Sequence, residues 1–484
     1  VRIFSTGLLV ALVPYEGFIG GAYRARSTNF NAETCLNLYP ETSAVGSSKS
    51  VAALYGTPGL ALWATLAGNG GIRGEIRFNA STAFVVVGQN VYRLTTAGVS
   101  TPIGTVTNSA QPVSMASNGI NVIIASAGQL FVIDPAANTV TQVVDPDFQG
   151  AGQVGFISGY FVWNVPGTGR AQYSNLYSTA IEPLSLFTAE ASPDNGVGCI
   201  VDHLEYWYFN ETTTEVYTIT TDPNQPLQRI QGAVIEHGCA AAYSIAKMDN
   251  TVYWLGADDN GQGTVWRATG AYEPQRVSTP AIEFAISQTS DLSGAIAWTY
   301  QQESHAFYVL NVGDRTWCYD ASVGLWHERA WRDPADGTLH RHRGQCQMAF
   351  ANKNLVGDWQ SGKVYELDLD TYTDNGDLIV SRRTGAFVSA RSYHMLQVDF
   401  ETGVGNAVAP GYDPVALLEW SDDGGHTWSN LHAASIGKVG EYQLRVRWRR
   451  LGTPRRFGLS RVFRVTVTDP VKRIMTGAML DVSA

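Results

Sequence analysis

An apolar strand, a short polar turn and a second strand carrying one aromatic anchor recur along this chain. Phe84 to Val87, the turn Gly88-Gln-Asn90 and Val91 to Leu94 are the first instance. Val122 to Ile124 with Leu130 to Ile133 follow, then Tyr160 to Trp163 with Ala171 to Tyr173, and Tyr206 to Phe209 with Val216 to Thr218. Thr251 to Leu255 with Thr264 to Arg267, His305 to Leu310 with Trp317 to Tyr319, and Leu355 to Asp358 with Lys363 to Leu367 complete the series. The anchors Tyr92, Phe131, Tyr173, Tyr217, Trp266, Tyr319 and Tyr365 are spaced by 39, 42, 44, 49, 53 and 46 residues. Four-stranded propeller blades repeat at about 40–50 residues. A ring also protects the sheet edges that an open sheet of so many strands would expose. The pattern predicts an all-β fold with a roughly seven-bladed β-propeller, blades three and four being the least regular. Tyr92, Phe131, Tyr217, Trp266 and Tyr365 are expected to be buried between blades.

Helical signal is sparse. Thr279 as a cap, Pro280 at the first helical position and a small apolar face predict one short helix to Ile286, connecting two blades. After about residue 370 the rhythm changes. Asp374-Asn-Gly376 signals a turn, and longer alternating strands follow at Val415 to Trp420, Tyr442 to Trp448, Val462 to Val467 and Met479 to Val482. These predict a C-terminal β-sandwich-like domain. The expected organisation is an N-terminal extension and lead-in over 1–50, the propeller over 51–372 and the sandwich over 373–484.

Composition narrows the class further. Charged residues make up 16% of the chain against roughly 25% in ordinary globular proteins, which excludes charge-driven disorder and coiled coils. The net charge of −10 opposes general nucleic-acid binding, since phosphate neutralisation needs a basic surface. It leaves room for a role near DNA, because a like-charged wall lets a polyanion slide without sticking. Cys35, Cys199, Cys239, Cys318 and Cys346 are odd in number and widely spaced, so they read as small buried apolar groups rather than disulfides or a zinc site. Residues 8–13 are apolar but too short to span a bilayer, and with one preceding Arg they make a minimal match to a signal peptide. Val1 reads as a processed end or an unusual start codon. Membrane insertion is not expected.

Candidate chemistry is thin. Ser421-Asp-Asp-Gly-Gly-His-Thr-Trp428 matches the Asp-box hairpin of sialidases and of many non-enzymatic β-proteins. Its physics is local: Asp423 can accept from backbone amides across the turn, Gly425 can take a positive φ, and Trp428 can pack under the hairpin. His340-Arg-His342 offers two imidazoles on one strand face, with no carboxylate or Cys close in sequence to complete a metal site. Asp368, Asp370, Asp374 and Asp377 miss calcium-loop spacing, with Tyr372 in the fifth position. No nucleophile elbow, Walker loop or dinucleotide fingerprint occurs. Paired glycosidase carboxylates from distant strands remain open to the sequence. No catalytic residue, cofactor or metal is assigned.

One electrostatic feature departs from the acidic bulk. Eight arginines fall between 445 and 464, at 445, 447, 449, 450, 455, 456, 461 and 464. Arg445, Arg447 and Arg449 alternate with Val446 and Trp448, which on a strand makes one cationic ridge over an apolar face. Arg455 and Arg456 follow the turn at Gly452-Thr-Pro454 and extend the patch. Two readings stand: a basic edge that discourages strand pairing, or a docking face for an acidic protein partner or for phosphate, the protein being favoured over DNA because the rest of the molecule is acidic.

The chain resembles a known family. Gly21 to Ser27 leading to Cys35-Leu-Asn-Leu-Tyr-Pro-Glu41, and Gly56-Thr-Pro-Gly-Leu60, are similar to the opening of the packaged-DNA stabilisation proteins of short-tailed bacteriophages. Glu236 to Cys239 with Val252 to Gly256, Thr316 to Asp320 with Trp326 to Arg329, and Tyr442 to Gly452 extend the resemblance from about residue 18 to the C-terminus. The first ~17 residues fall outside it. The resemblance implies a tail hub, or nozzle, in the virion: a homo-hexameric ring below the portal and adaptor. Such a ring seals packaged DNA, contacts it during ejection and carries a tail needle or fibre and spike proteins, and it assembles in the host cytoplasm. Two other classes compete: a glycan-degrading tail enzyme of propeller type, and a monomeric interaction scaffold.

Overall fold

The computed structural model of the chain describes residues 12–43, 50–189, 192–222, 225–258, 260–270, 272–454 and 460–483. Six four-stranded antiparallel blades follow one another at 72–105, 114–142, 154–188, 196–235, 246–276 and 296–332. The seventh takes three strands from Gly344–Phe350, Lys353–Asp358 and Lys363–Asp368, and its outer strand from Gly59–Thr65. An N-terminal strand therefore closes the ring. All seven aromatic anchors sit on the third strand of their blades, which is why one hydrophobic period marked them all.

Each of the seven seams between neighbouring blades holds its own apolar cluster. Tyr92, Phe131, Tyr173, Tyr217, Tyr319 and Tyr365 are buried in them. Trp266 is the exception. It packs on the seam between blades four and five but is half-buried, its outer face stacked on His237 with ring centroids 4.1 Å apart. Its cross-strand partner Trp254 is fully buried and donates Nε1 to Gly238 O at 3.1 Å. Trp254→Ala is accordingly expected to cost about 3–5 kcal/mol in denaturant unfolding, and Trp266→Ala less than half of that.

The one α-helix among the described residues is Pro280–Ile286, between blades five and six, with the Thr279 side chain accepting from the Ile282 amide. It seats Ile282 and Ile286 against blades five and six.

Beyond the propeller two sheets face each other. One runs Leu38–Thr42, Ala52–Gly56, Ile474–Ser483, Ser392–Phe400 and Val446–Gly452, with Leu12–Pro14 added on Ile474–Ser483. The other holds Ala32–Leu36, Ser381–Thr384, Ser460–Val467, Val415–Ser421 and His432–Ser435. Leu38, Leu54, Leu396, Leu418, Phe463 and Leu480 fill the space between them. This second sheet continues into blade six through a parallel bridge between Leu36 and Glu328. N-terminal strands thus complete the sandwich before the chain enters the propeller. The strand expected from Tyr442 begins only at Val446, because positive-φ turns at Gly437 and Gly440 leave Tyr442 to Leu444 exposed ahead of it.

Candidate functional site

In an up-and-down blade, the turns joining strands one to two and three to four emerge on the same face of the ring. On that face Val99, Ile120, Leu176, Tyr177, Leu184 and Leu204 are all solvent-exposed, and all belong to blades one to four. The six such turns of blades one to three carry a single charged side chain, Glu182. Exposed apolar side chains set among Asn, Ser, Thr and Ala, with charge depleted, are the composition of a protein contact surface. Asp202, Lys247 and Asp249, from blades four and five, line a depression on this face. Sequence reasoning missed this patch. The available signal was apolar residues at turn positions, as in Gly98-Val99 and Gly119-Ile120.

The arginine ridge is real but smaller than its sequence density suggests. Val446 and Trp448 are buried, with Trp448 Nε1 donating to His432 O at 2.8 Å, and Arg445 and Arg449 are exposed. Arg447 is half-buried and donates Nε to Gln397 Oε1 at 2.6 Å. Val446–Gly452 ends its sheet, so the ridge runs along an edge strand. Among the described residues, Arg445, Arg447, Arg449 and Arg450 have no ion pair. Arg455 and Arg456 lie outside the described residues. Arg461 and Arg464 do not belong to the surface patch, because they sit on opposite faces of Ser460–Val467, each paired with a carboxylate. Arg461 is buried, bound to Asp422 at 2.6 Å and to Leu451 O, with Tyr393 and Trp420 flanking its guanidinium. Arg464 pairs with Glu419 at 2.8 Å and lies 3.7 Å from the centroid of Trp428.

The Asp-box closes as a turn. Asp423 Oδ1 accepts from the amides of His426 and Thr427 and from Ser421 Oγ, while Oδ2 accepts from Thr427 Oγ1. Partial burial opposes its charge, but these hydrogen bonds outweigh it and hold the carboxyl down to about 2. Gly425 takes φ +88° to bring those amides round. Asp422 is committed to Arg461, so neither carboxylate beside the adjoining groove is free to act as an acid or base.

The two histidines part company. His340 is bound to Asp314 at 2.8 Å near the surface. His342 is buried, and burial with Arg329 and Arg343 nearby pushes its imidazole down to about 3, where Nδ1 accepts from the Gly344 amide. Asp368 caps its own turn through Asp370 and Thr371, and Asp377 accepts from Trp331 Nε1. Among the described residues no group of three or more His, Cys, Asp or Glu could hold a metal ion.

The ring axis is filled. Arg73, Glu75, Gln153, Tyr243, Trp298 and Gln345 line a cavity of about 260 Å³ there, far too small for a nucleic-acid strand. Both Glu75 carboxylate oxygens are buried without a full hydrogen bond. Burial pushes this carboxyl up to about 8, against smaller opposing effects of Cys346 and the Gly357 backbone. An acid whose folded value lies above its unfolded one binds more protons when folded, so stability falls as pH rises. Relative to Glu75→Gln, the native chain should lose stability progressively from about pH 4.5 to 8 and level off above it. Denaturant midpoints measured across that range check the slope, and parallel curves for the two proteins would refute it.

A family model described as "Bacteriophage P22 Gp10, beta-propeller" matches residues 17–372, and a second, "Bacteriophage P22 Gp10, beta-sandwich", matches 385–483. The chain belongs to the bacteriophage P22 Gp10 family. Both Gp10 modules are present and in the order seen in the fold, which makes the chain a structural protein of the phage tail. No curated protein matches it. Solved structures share only distant likeness. The WD40 propeller of Doa1 is 10% identical with TM-score 0.40, covering 64% of this chain and 96% of its own. The Neurospora crassa Pan2 WD40 domain is 7% identical with TM-score 0.43, covering 64% and 95%. PorZ of Porphyromonas gingivalis is 12% identical with TM-score 0.40, covering 77% and 46%. These three carry no argument about what this Gp10-family chain does.

Proposed function

We propose that the chain is the tail hub, or nozzle, subunit of a short-tailed phage. In this reading it forms a homo-hexameric ring below the portal and adaptor, seals packaged DNA and lines part of the ejection path. The observation that carries it is the presence on one molecule of two different docking surfaces, an uncharged apolar turn face and an unneutralised arginine edge. A monomeric scaffold needs neither. The chain's net charge of −10 opposes contact between copies except through surface poor in carboxylates, and the turns of blades one to three, with Glu182 alone, provide it. A second copy is therefore the occupant of that face. The arginine edge takes an acidic surface of the adaptor or of a distal tail protein, because forked donors bind carboxylates in pairs. The filled axis supports a DNA path between subunits, where an acidic wall favours sliding. The competing glycan-degrading enzyme is disfavoured by the Asp-box, whose two carboxylates are tied to Arg461 and to the turn itself.

The test is the triple variant Arg445→Ser, Arg447→Ser, Arg449→Ser. Exposed pairs each contribute only about 0–1 kcal/mol and are screened by salt, so the effect is collective. The melting temperature of the isolated chain should stay nearly unchanged. Incorporation into tails should fall relative to the native chain, most visibly at low salt, where the native pairs are least screened. Normal incorporation at both low and high salt would reduce the ridge to a solvated edge.

A further inference from the structure

The outer face of the second sheet, away from the sandwich core, gathers arginines where that sheet runs on into blade six. Arg382 stands opposite Thr466 and Thr384 opposite Arg464, so all four share this face, while the intervening Val465 belongs to the core. A cavity of about 250 Å³ opens there, between blade six, the strand Ala32–Leu36 and the Asp-box turn. Its charged lining is Arg24, Arg315, Arg382 and Arg464 against Glu33 and Glu328.

Both carboxylates are already taken. Glu328 accepts from Arg315 Nε at 2.9 Å and Nη2 at 2.7 Å, and Glu33 accepts from the buried Arg383 at 2.6 Å. Arg464 is paired with Glu419. Arg24 and Arg382 have no ion pair among the described residues. Each pair is neutral, so these two guanidiniums leave the recess with an excess of positive charge in an acidic chain. Arg382 is half-buried, and its one hydrogen bond runs from Nε to Thr466 Oγ1 at 3.4 Å. Its Nη1 and Nη2 are unbonded and keep solvent-accessible surface. Burial, with Arg464 nearby, holds this guanidinium below its ordinary range, so an added anion would relieve it. The flanking cations are set in place by aromatic rings, Arg315 at 4.7 Å from the Trp317 centroid and Arg464 at 3.7 Å from that of Trp428.

We propose that this recess binds a small dianionic oxyanion, hydrogen phosphate or a short dicarboxylate, gripped by the half-buried Arg382 and the exposed Arg24. The free Nη1 and Nη2 of Arg382 match two oxygens of one such group. The second charge of the ligand answers Arg24. The volume admits a small anion, and the acidic bulk of the chain turns away a long polyanion such as DNA. The lining comes from both propeller and sandwich, so the bound anion ties the two modules together.

Thermal unfolding and titration calorimetry of the full chain, at slightly alkaline pH and ionic strength fixed with chloride, test this with inorganic phosphate and, separately, malonate. At least one probe should raise the melting temperature saturably, as a ligand of the folded state does, and which of them does so distinguishes phosphate from carboxylate chemistry. Arg382→Met keeps an unbranched stem and removes the charge, and should weaken binding roughly tenfold or more. Arg24→Ser, at an exposed position, should weaken binding several-fold and is the deciding variant if Arg382→Met does not fold. Arg77→Ser removes an exposed charge from blade one, outside the recess, and should bind as the native chain does. The proposal is overturned if neither probe exceeds chloride, if the folded recess variants bind as tightly as the native chain, or if Arg77→Ser weakens binding as much as Arg24→Ser.

Discussion

Leu60→Asp should abolish cooperative unfolding of the chain at 25 °C or leave it insoluble, while Leu62→Asp, two residues along the same strand, should be near neutral. Leu60 is fully buried on the strand Gly59–Thr65, in the cluster shared by blades six and seven with Tyr39, Val356 and Tyr365. An aspartate there loses the apolar burial and places an unpaired carboxylate among aromatic rings, at a cost of at least about 4 kcal/mol. Total stability is typically only 5–15 kcal/mol. The position also sits where the ring is closed, with Leu60 opposite Leu367 and its carbonyl accepting from the Asn375 amide. Failure here frees the last blade's outer strand and opens every seam to water in turn. Leu62 is 50% exposed, so its substitution tests the strand without the core. Equal stability of the two variants would show that ring closure does not depend on this strand.

The second large effect is expected at Arg383. From the strand Ser381–Thr384, its Nε donates to Phe18 O at 2.6 Å, Nη1 to Gly21 O at 2.8 Å and Thr34 O at 3.3 Å, and Nη2 to Gly17 O at 2.7 Å and Glu33 Oε2 at 2.6 Å. One side chain thus holds the whole turn of 17–34 on the sandwich. Gly17 is fixed at φ +74°, and a Cβ there would meet Ala386 Cβ at 2.8 Å, so the loop has no alternative seat. Arg383→Ala leaves four carbonyls, that of Phe18 buried and the others part-buried, and the Glu33 carboxylate without their donor, which should cost about 3–5 kcal/mol. Arg383→Lys should recover little, because one ammonium cannot serve acceptors arranged around a planar fork. Limited proteolysis within 17–34 should accelerate in both variants before the propeller is cut. A lysine variant within about 1 kcal/mol of the native chain would contradict this role.

These two residues also mark what could be read from sequence. The third-strand anchors were legible because each blade repeats the same local burial, and a period of about 45 residues survives without knowledge of the partners. Trp266 departed from that rule, half-buried with one face stacked on His237, a contact that hydrophobic pattern alone does not encode. The closing strand escaped notice for a different reason. Gly59–Thr65 pairs with Lys363–Asp368, some 300 residues away, and nothing in either segment names the other. Arg383 is invisible in the same way, since its partners are mostly backbone carbonyls and carry no residue signature. In the arginine-rich stretch, the alternation with Val446 and Trp448 correctly gave a face. Arg461 and Arg464, counted in the same arginine-rich stretch, lie outside that face, their own strand turning them onto Asp422 and Glu419. The uncharged turn face was overlooked because turns were expected to be polar, and six exposed apolar residues scattered over about a hundred positions look unrelated until the ring brings them together.

The central claim is assembly into a tail hub, and electron microscopy of the purified chain mixed with the portal and adaptor of its phage tests it most directly. The account predicts a six-fold ring seated on the adaptor, with the turns of blades one to three buried between neighbouring copies and the Val446–Gly452 edge against another protein. Particles that remain single propellers, or a ring of another symmetry with that turn face open to solvent, would contradict it.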